Sequence, residues 1–458
     1  MYSHITLHRG LDLNLQGKVE QGAEAGSMVM PSIIAICPDD FPGLTPKVVV
    51  KAGDHVEAGQ PLMIDKNREE IKIVSPVNGT VGEIVRGERR KILRVTVTPD
   101  ASANTQAATS GKGAADATAV KAALMNSGLW AMMRQLPYDI IPESDAVPAN
   151  IFITTFDSAP LAPDMLTAVS GKSAEIKAGI KALLTQTAGS LYIGVRDIAK
   201  TEPLLGNDLK DNQRVTVAEI SGKHPAGLPS IQAANLAPVN KGESVWMLDI
   251  ITLARIGDMI LNGRCDWSTE VALTGSEVKT PHMIRTVNGA AIEPLIAGSL
   301  KDNDHNTRII SGNVLTGINV GADGFLRFPY RQITVIPEGD DVDEFMGWAS
   351  MSPNKMSQNR SFISRLFGKK LFAPDARING GRRAMIMSEQ YEKVLPMDIM
   401  AEYLIKAIIS RNIEQMEALG IYEVTPADFA LCEYVDPSKL ELQKIVREGI
   451  DYLRKELS

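Results

Sequence analysis

The sequence predicts a multidomain α/β protein with a small all-β unit first, an α/β layered domain in the middle and a helical region last. Three patterns carry this prediction. Short β-rich runs separated by glycine turns fill residues 47–97, strand-like and helix-like segments alternate over residues 150–261, and an apolar stripe at helical spacing runs through residues 442–457. A chain of 458 residues is long enough for about three domains, each with its own core.

The all-β unit contains five predicted strands, at residues 47–50, 61–64, 71–74, 80–85 and 92–97. Gly53 and Gly59 mark tight turns, because glycine adopts positive φ without steric cost. The pattern G-D-x-V-x-x-G-Q-P-L that starts at Gly53, followed by S-P-V-x-G-x-V from Ser75, resembles the biotinyl/lipoyl carrier family. This resemblance implies a barrel-sandwich hybrid fold, and we expect short apolar runs at residues 5–7 and 29–36 to complete it.

Carriers of that family bear a modified lysine at a hairpin tip, where Lys66 is the candidate in this chain. The residues that follow it, 67–70, read Asn-Arg-Glu-Glu and form a charged, solvated tip in place of the carriers' flanking pattern. We therefore interpret the unit as a docking and positioning module. A lipoyl-type carrier is kept as an alternative.

The composition argues against several classes of protein. A net charge of −7 and a pI near 5.6 exclude nucleic acid as a general partner, because phosphate binding needs a basic surface. The three cysteines lie far apart, with no C-x-x-C pair, which does not support zinc or an iron–sulfur cluster and fits a reducing, cytoplasmic compartment. The longest uncharged apolar-leaning run, residues 25–38, is too short to span a bilayer, so we expect the isolated chain to be soluble.

Residues 101–117 are predicted to be a linker, because small and polar side chains dominate them. Two short helices are predicted for residues 118–136. Strands at residues 150–155, 190–195, 214–220 and 245–249 then alternate with helices at 173–187 and 250–261. This alternation predicts an α/β layered, Rossmann-like domain.

Such domains bind nucleotides at the carboxyl ends of their strands. Neither the G-x-G-x-x-G nor the G-x-x-x-x-G-K-S/T phosphate loop occurs in the chain. The best candidate loop after a strand is residues 221–227. We predict that it is a structural turn, because Pro225 removes one of the amide donors that a phosphate would need.

Residues 270–300 show a strand, a glycine turn, a second strand, another glycine turn and a short helix, and residues 308–313 add a further strand. This stretch resembles the soluble-ligand-binding β-grasp (SLBB) module of the flavin subunit of respiratory complex I and of the Rnf complex C subunit. Beyond it, residues 353–393 carry nine Lys/Arg against three Asp/Glu. This segment is either a solvated irregular surface or a contact face for a partner or anionic lipid.

Stretches across the chain resemble one family, the A subunits of the bacterial Na+-translocating NADH:quinone oxidoreductases. They include Gly-Leu-Asp-Leu at residues 10–13, Ser-Gly-Leu-Trp at 127–130, His-Pro-Ala-Gly at 224–227 and Leu-Pro-Met-Asp at 395–398. The resemblance implies a peripheral protein on the cytoplasmic side of the inner membrane, in a complex that couples NADH oxidation and quinone reduction to sodium export.

The membrane B subunit is the implied partner, and ubiquinone or menaquinone is the implied substrate of the complex. The resemblance places NADH, flavins and iron–sulfur centres in other subunits. Members of the family are implied to hold no tightly bound redox cofactor and to be associated with the quinone site. A departure near the C-terminus agrees with this: Cys432 is followed by Asp436 where the related Rnf protein has a second cysteine, and a lone thiolate cannot hold a four-iron cluster.

We expect five regions: a barrel-sandwich hybrid domain (1–100), a linker (101–117), a Rossmann-like domain (118–262), a β-grasp module (263–335) and an irregular and helical domain (336–458). The leading hypothesis is an accessory, quinone-associated subunit. The rival is an NADH- or flavin-binding catalytic subunit, like the complex I and Rnf relatives.

A quinone headgroup needs an apolar or aromatic wall and one or two hydrogen-bond donors. The loops at residues 39–43 and 132–138 offer both. Arg134 and Tyr138 are the predicted donors, while Phe41, Met132 and Leu136 are predicted to pack against the ring. The alternative is that Met132 and Leu136 belong to the core and that Phe41 is a single exposed aromatic. No catalytic or metal-binding residue is predicted.

Overall fold

The structure, a computed structural model, describes residues 2–206, 212–302, 304–342, 344–345, 352, 354–356, 362 and 370–457. Within these residues the chain forms one large sheet, four smaller sheets and the helices that pack on them. Part of the basic segment, residues 353, 357–361 and 363–369, lies outside the described residues.

The strands are β1 (Tyr2–Thr6), β2 (Ile34–Ile36), β3 (Pro46–Val48), β4 (His55–Val56), β5 (Pro61–Asp65), β6 (Lys72–Val74), β7 (Gly79–Arg86), β8 (Ile92–Pro99), β9 (Gln106–Ala108), β10 (Arg134–Leu136), β11 (Asn150–Thr154), β12 (Leu191–Val195), β13 (Val215–Ser221), β14 (Val245–Asp249), β15 (Arg264–Asp266), β16 (Ser268–Thr274), β17 (His282–Val287), β18 (Thr307–Ser311), β19 (Ile318–Asn319) and β20 (Gln332–Pro337).

The helices are α1 (Ala117–Ser127), α2 (Met165–Ala168), α3 (Ser173–Leu184), α4 (Ile198–Leu205), α5 (Pro229–Leu236), α6 (Ile250–Asn262), α7 (Glu293–Ile296), α8 (Tyr391–Val394), α9 (Ala401–Ile409), α10 (Ile413–Ala418), α11 (Ala430–Val435) and α12 (Leu442–Leu457).

The N-terminal unit has two small antiparallel sheets, of order β2-β8-β7-β4 and β3-β5-β6. Their inner side chains, among them Val56, Leu62, Val81 and Val95, are fully or almost fully buried. Several of these strands are buried over consecutive residues, as in β2 and β6, because they lie inside the packed unit. The barrel-sandwich hybrid prediction is confirmed. Of the run at residues 29–36, β2 joins the unit by pairing with β8, whereas the Val29 amide donates to the Arg285 carbonyl (2.8 Å) of β17 in the β-grasp module.

The α/β domain is built on a six-stranded sheet of order β1-β13-β12-β11-β14-β10. The strands from β1 to β14 in this order are parallel, and β10 pairs antiparallel with β14 at one edge. Helices α3 and α6 pack so closely that a Cβ at Gly257 would lie 1.7 Å from the Glu175 carbonyl oxygen. The α/β layered prediction is confirmed.

Three elements differ from the sequence predictions. The run at residues 5–7 does not complete the β-unit, because β1 pairs in parallel with β13 of the α/β domain. The second of the two short helices ends at Met132 as a 3-10 turn, and residues 134–136 form strand β10 instead. The expected linker contains β9, which pairs antiparallel with β15, and Ala107 of β9 is buried.

The β-grasp module has a five-stranded sheet of order β17-β16-β20-β18-β19 and agrees with the SLBB prediction. The C-terminal helices form a second large core with the face of the α/β domain, in which Leu404, Val446 and Ile450 of the helices meet Ile220 and Ile231. The predicted stripe on α12 is core through Leu453, whereas its last residue, Leu457, is 50% exposed. No helix among the described residues is long and apolar enough to cross a membrane.

Candidate functional site

The carboxyl ends of the parallel strands, where an open α/β sheet usually binds its ligand, are bridged by the chain itself. The strand order reverses between β11 and β14, so the crevice lies beyond Thr154 and Asp249. Asp249 accepts a hydrogen bond from the Thr252 amide (2.7 Å) and forms a 2.7 Å ion pair with Arg331, which precedes β20 of the β-grasp module. Although burial raises the pKa of Asp249, Arg331 and the Thr252 amide outweigh it and hold that pKa below its ordinary value.

The loop of residues 221–227 is packed under the N-terminal segment. The His224 carbonyl accepts a hydrogen bond from the Leu11 amide (2.9 Å), and a Cβ at Gly10 would lie 2.4 Å from the same oxygen. The His224 side chain is 2% exposed, its Nδ1 lies 3.0 Å from Ser158 Oγ, and burial lowers its pKa to about 4. The loop therefore packs against protein, which agrees with the prediction of a structural turn.

An apolar cleft lies where three domains meet. Its lining includes Ile36, Phe41, Val74, Met132, Trp267 and Phe328, which come from the β-unit, the start of the α/β domain and the β-grasp module. The rings of Phe41 and Phe328 are stacked, with centroids 5.2 Å apart and planes at 11°. The space accessible to water-sized molecules is about 40 Å³, which is room for a few waters.

Two arginines bind Asp40, the charged residue in the lining of this cleft. Asp40 accepts hydrogen bonds from Arg327 Nε (2.8 Å) and from the Phe328 amide (3.1 Å), and its main-chain oxygen accepts one from Arg134 Nη2 (2.7 Å). The Arg134 guanidinium also lies 5.6 Å from the centre of the Phe328 ring. This arrangement fixes the Arg134 guanidinium against the cleft's aromatic wall.

One donor of this arrangement is unused. Nη1 of Arg134 is buried and has no hydrogen-bond partner within the described residues. Burial lowers the pKa of Arg134, although Asp139 and Asp40 oppose that effect. A buried N–H without a partner costs free energy, so such a group is expected to meet an acceptor when a ligand or water is present.

The structure brings together three of the five predicted site residues. Phe41 and Met132 line the cleft and Arg134 lies beside it, whereas Leu136 is fully buried in the α/β core with Phe152 and Met247. Tyr138 lies elsewhere, edge-to-face with Tyr422.

The separation follows from the strand that was not predicted. Leu136 lies in β10, whose pairing with β14 places it in the α/β core. Tyr138 lies beyond β10 in a turn, with a φ of 83°, where the chain folds back and Ile140 pairs with Gln135.

Sequence analysis missed Asp40, Trp267, Arg327 and Phe328 as members of this site. Asp40 lies in the loop at residues 39–43, which was predicted to be part of the site. The sequence around it does not show that its partner, Arg327, comes from the β-grasp module. A signal was present in residues 325–331, which read Phe-Leu-Arg-Phe-Pro-Tyr-Arg and concentrate aromatic and cationic side chains. Such a mixture is typical of binding surfaces.

A second, wider pocket of about 670 Å³ lies at the amino ends of the parallel strands. It is lined by Tyr138, Lys241 and Tyr422 among others, and Lys241 forms a 2.7 Å ion pair with Glu417 on its rim. The pocket is broadly open to solvent. We therefore regard the three-domain cleft, which is apolar and has an unused donor, as the stronger candidate for an apolar ligand.

The remaining candidate positions have local structural explanations. Lys66 is exposed on the turn after β5, where its amide donates to the Thr45 carbonyl (2.8 Å). Asp436 is fully buried and accepts hydrogen bonds from the Ser438 (3.1 Å) and Leu440 (2.8 Å) amides, so it caps the loop after α11. No group of three or more His, Cys, Asp or Glu side chains suited to a metal occurs in the described part of the chain.

Comparison with known proteins matches this architecture domain by domain. Residues 5–100 match the NqrA N-terminal barrel-sandwich hybrid domain, residues 115–265 the NqrA second alpha/beta domain and residues 270–321 the NQRA C-terminal domain. These matches follow the order of the β-unit, the α/β domain and the β-grasp module along the chain.

Whole-chain relatives include the A subunit of the Na+-translocating NADH-quinone reductase of Rhodopirellula baltica, at 33% identity over 98% of both chains. The protein of the same name from Neisseria meningitidis serogroup B is 32% identical over 99% of this chain and 100% of its own, and that from Hahella chejuensis is 34% identical over the same shares. A NAD+-reducing NiFe-hydrogenase structure is similar over 49% of this chain and 47% of its own, with a TM-score of 0.34 and 14% identity, which is too distant to carry an argument.

Proposed function

Because this chain belongs to the family of the A subunits of the Na+-translocating NADH-quinone reductases, we propose that its three-domain cleft forms part of the site at which the complex reduces quinone. The chain is one component of a multisubunit oxidoreductase. The observation that carries the proposal is Arg134, whose buried Nη1 has no partner among the described residues and lies beside the aromatic wall.

The chemistry of a quinone headgroup suits this cleft. The headgroup is a flat, largely apolar ring that packs against aromatic faces, which Phe41 and Phe328 supply. Its carbonyl oxygens are acceptors, and the guanidinium of Arg134 has only donors. When the quinone is reduced, negative charge develops on these oxygens, and a fixed cation stabilises it more strongly than it stabilises the neutral ring.

The cleft as described is too small for a headgroup, so side chains must move when quinone enters. Met132 is the residue best suited to do this, because its unbranched side chain has several rotatable bonds and fills irregular space. Phe41 and Phe328 are held by their stacking, and Arg134 by Asp40. We therefore propose that Met132 rotates while the aromatic and cationic walls stay in place.

We further propose that the chain holds no tightly bound redox cofactor of its own. Support comes from the crevice of the α/β sheet, where the Asp249–Arg331 ion pair occupies the position that a dinucleotide would need. The rival function, an NADH- or flavin-binding catalytic subunit, requires that crevice to be free. The visible absorption spectrum of the purified chain separates the two, and stoichiometric flavin would contradict the proposal.

The remaining assignments rest on the family resemblance. We propose that NADH, flavins and iron–sulfur centres reside in other subunits, that ubiquinone or menaquinone is the substrate, and that the chain docks at the cytoplasmic face on the membrane B subunit. Electrons then reach the quinone from a neighbouring subunit, while this chain binds and orients the headgroup.

Replacing Arg134 with alanine in the assembled complex tests the proposal. One hydrogen bond from a charged donor is worth about 1.5–3 kcal/mol, so the KM for quinone should rise by about 10- to 150-fold. Oxidation of NADH with an artificial electron acceptor should stay unchanged, because that step does not involve quinone. Arg134→Lys should restore part of the loss, since it keeps the charge but not the fork of donors.

Arg196 offers a matched control. It too lies over a phenylalanine ring, 4.8 Å from the centre of Phe156, and donates to the main-chain oxygen of Gly222 (2.7 Å), but neither it nor Phe156 lines the three-domain cleft. Arg196→Ala should therefore leave quinone kinetics unchanged. Equal quinone kinetics in Arg134→Ala and in the unaltered complex, with assembly intact, would remove Arg134 from the site.

A further inference from the structure

The hairpin of β7 and β8 ends in a strongly basic turn, which we call the basic tip. Its nine residues, 86–94, carry five cations, Arg86, Arg89, Arg90, Lys91 and Arg94, against the single acid Glu88, on a chain whose net charge is −7. All five cationic side chains are exposed. A concentration of one charge sign on an oppositely charged protein indicates a surface for an anionic partner.

The basic tip keeps its outermost cations available. Its main chain is closed by a hydrogen bond from the Gly87 amide to the Lys91 carbonyl (2.8 Å), and Arg89 and Arg90 adopt positive φ of 52° and 62°. Within the described residues, no hydrogen bond or ion pair engages the side chain of Arg89 or Arg90. Leu93, with 41% of its surface exposed, adds an apolar side chain beside them.

The basic tip stands next to the three-domain cleft. Lys91 forms a 2.8 Å ion pair with Asp39, which directly precedes the Asp40 and Phe41 that build the cleft. On the same side, the Arg94 guanidinium lies 5.4 Å from the ring centre of Phe325 in the β-grasp module. These two contacts fix the direction of the hairpin relative to the cleft.

We propose that the basic tip binds the anionic headgroups of a lipid bilayer and holds the cleft at the surface from which a lipid-soluble quinone enters. The second half of this statement rests on the proposed function, whereas lipid binding does not. The turn ends a hairpin, its cations are exposed, and an exposed apolar side chain stands among them. This combination suits a flat, fluid layer of phosphates with hydrocarbon beneath it better than an acidic peptide, which needs a groove.

Vesicle binding of the purified full-length chain tests the lipid contact. The chain should sediment at low salt with vesicles made of equal parts phosphatidylglycerol and phosphatidylcholine, and should stay in solution with pure phosphatidylcholine vesicles. Each basic side chain near an anionic surface strengthens binding by about fivefold. The double variant Arg89→Glu/Arg90→Glu should therefore weaken binding to the anionic vesicles by at least about tenfold.

Lys172→Glu/Lys200→Glu is the matched control, because it reverses the charge of two exposed lysines of the α/β domain, outside both the basic tip and residues 353–393, and changes the net charge equally. It should weaken binding less than about twofold. Equal losses in the two double variants would mean that overall charge governs binding, and would overturn the proposal. Binding of the unaltered chain that does not depend on lipid charge, or no binding to anionic vesicles, would also overturn it. If the unaltered chain does not bind vesicles and the complex fails to assemble in Arg89→Glu/Arg90→Glu, the basic tip contacts a protein partner instead.

The same variants separate this proposal from the proposed function. In the membrane-embedded complex, Arg89→Glu/Arg90→Glu should raise the KM for a long-chain quinone and leave that for a water-soluble short-chain quinone unchanged. If Arg134→Ala alters neither KM while vesicle binding still depends on the basic tip, the cleft is not the quinone site but the lipid contact stands.

Discussion

Asp40 connects three domains through its side-chain carboxylate and its main-chain carbonyl oxygen. Its carboxylate binds Arg327 of the β-grasp module (2.6 Å to Nη2), and its main-chain oxygen binds Arg134 of the α/β domain (2.7 Å). The residue itself lies in the β-unit and is 9% exposed. Because removal of one partner from a buried ion pair leaves the other charge unpaired, the cleft depends on this residue for its shape.

We therefore expect Asp40→Ala to lower the free energy of unfolding by about 3 kcal/mol, since breaking a buried pair costs about 3–5 kcal/mol. Urea unfolding of the purified chain measures it. The neighbouring Asp39→Ala is the control, because the Asp39–Lys91 pair is about half exposed on both sides and such pairs contribute less than about 1 kcal/mol. Equal effects of the two variants would contradict this account of Asp40.

At the scale of single residues, the sequence shows which side chains have the chemistry for a ligand site more reliably than it shows which of them lie close together in the fold. Phe41, Met132 and Arg134 do lie side by side. All five predicted residues suit a quinone headgroup by their chemistry, Arg134 and Tyr138 as donors and the other three as apolar packing. Leu136 and Tyr138 lie elsewhere because the pairing of β10 and the turn after it separate them from Arg134. Arg327 could not be paired with Asp40 from the sequence, since nothing local specifies contacts between residues so far apart.

Among the elements, the junction of α5 with the C-terminal region carries a pH-dependent contact. Ser230 of α5 donates to Asp428 Oδ1 (2.6 Å), and the Thr425 amide donates to Oδ2 (2.6 Å). Asp428 is 1% exposed, and burial raises its pKa from 3.8 to about 7. The folded chain therefore keeps the proton of Asp428 in a pH range where the unfolded chain has lost it, so this group's stabilising contribution falls as the pH rises from about 4 to about 7.

Asp428→Asn should remove this dependence, because an amide mimics the protonated acid and does not titrate. Relative to the unaltered chain, the variant's free energy of unfolding should increase by about 2 kcal/mol between about pH 5 and about pH 8. His224, with its lowered pKa, contributes in the opposite direction in both proteins and cancels in the comparison. The exposed Asp323→Asn serves as control, and a difference that does not change with pH would refute the assignment.

Most elements follow from local patterns, and the three that differ share one cause. The alternation of strand-like and helix-like segments predicts the strands of the α/β sheet. The run at residues 5–7 was assigned to the β-unit because that unit is nearest in the sequence, but β1 pairs with β13, which lies far along the chain. In the same way β9, whose Ala107 has little side chain to mark a strand, is defined by pairing with the distant β15. Strand pairing depends on tertiary contacts, and a sequence window does not contain them.

For the whole molecule, the chain's own residues pack around the edge of the α/β sheet at which such folds usually bind nucleotides. The N-terminal segment covers the loop at residues 221–227, and Arg331 bridges the crevice of the α/β sheet. The sequence shows that the phosphate loops are absent. It does not show that the N-terminal segment and Arg331 pack at the carboxyl ends of the strands. The candidate ligand-binding space instead lies between domains, at the cleft next to the basic tip.

The most direct test of the central claim is the structure of the assembled complex with a short-chain quinone bound. We expect headgroup density against Phe41 and Phe328, displacement of Met132, and one quinone oxygen within hydrogen-bond distance of Arg134 Nη1, about 2.7–3.2 Å. Headgroup density in the pocket between Tyr138 and Tyr422, or in a site formed wholly by other subunits, would contradict the claim.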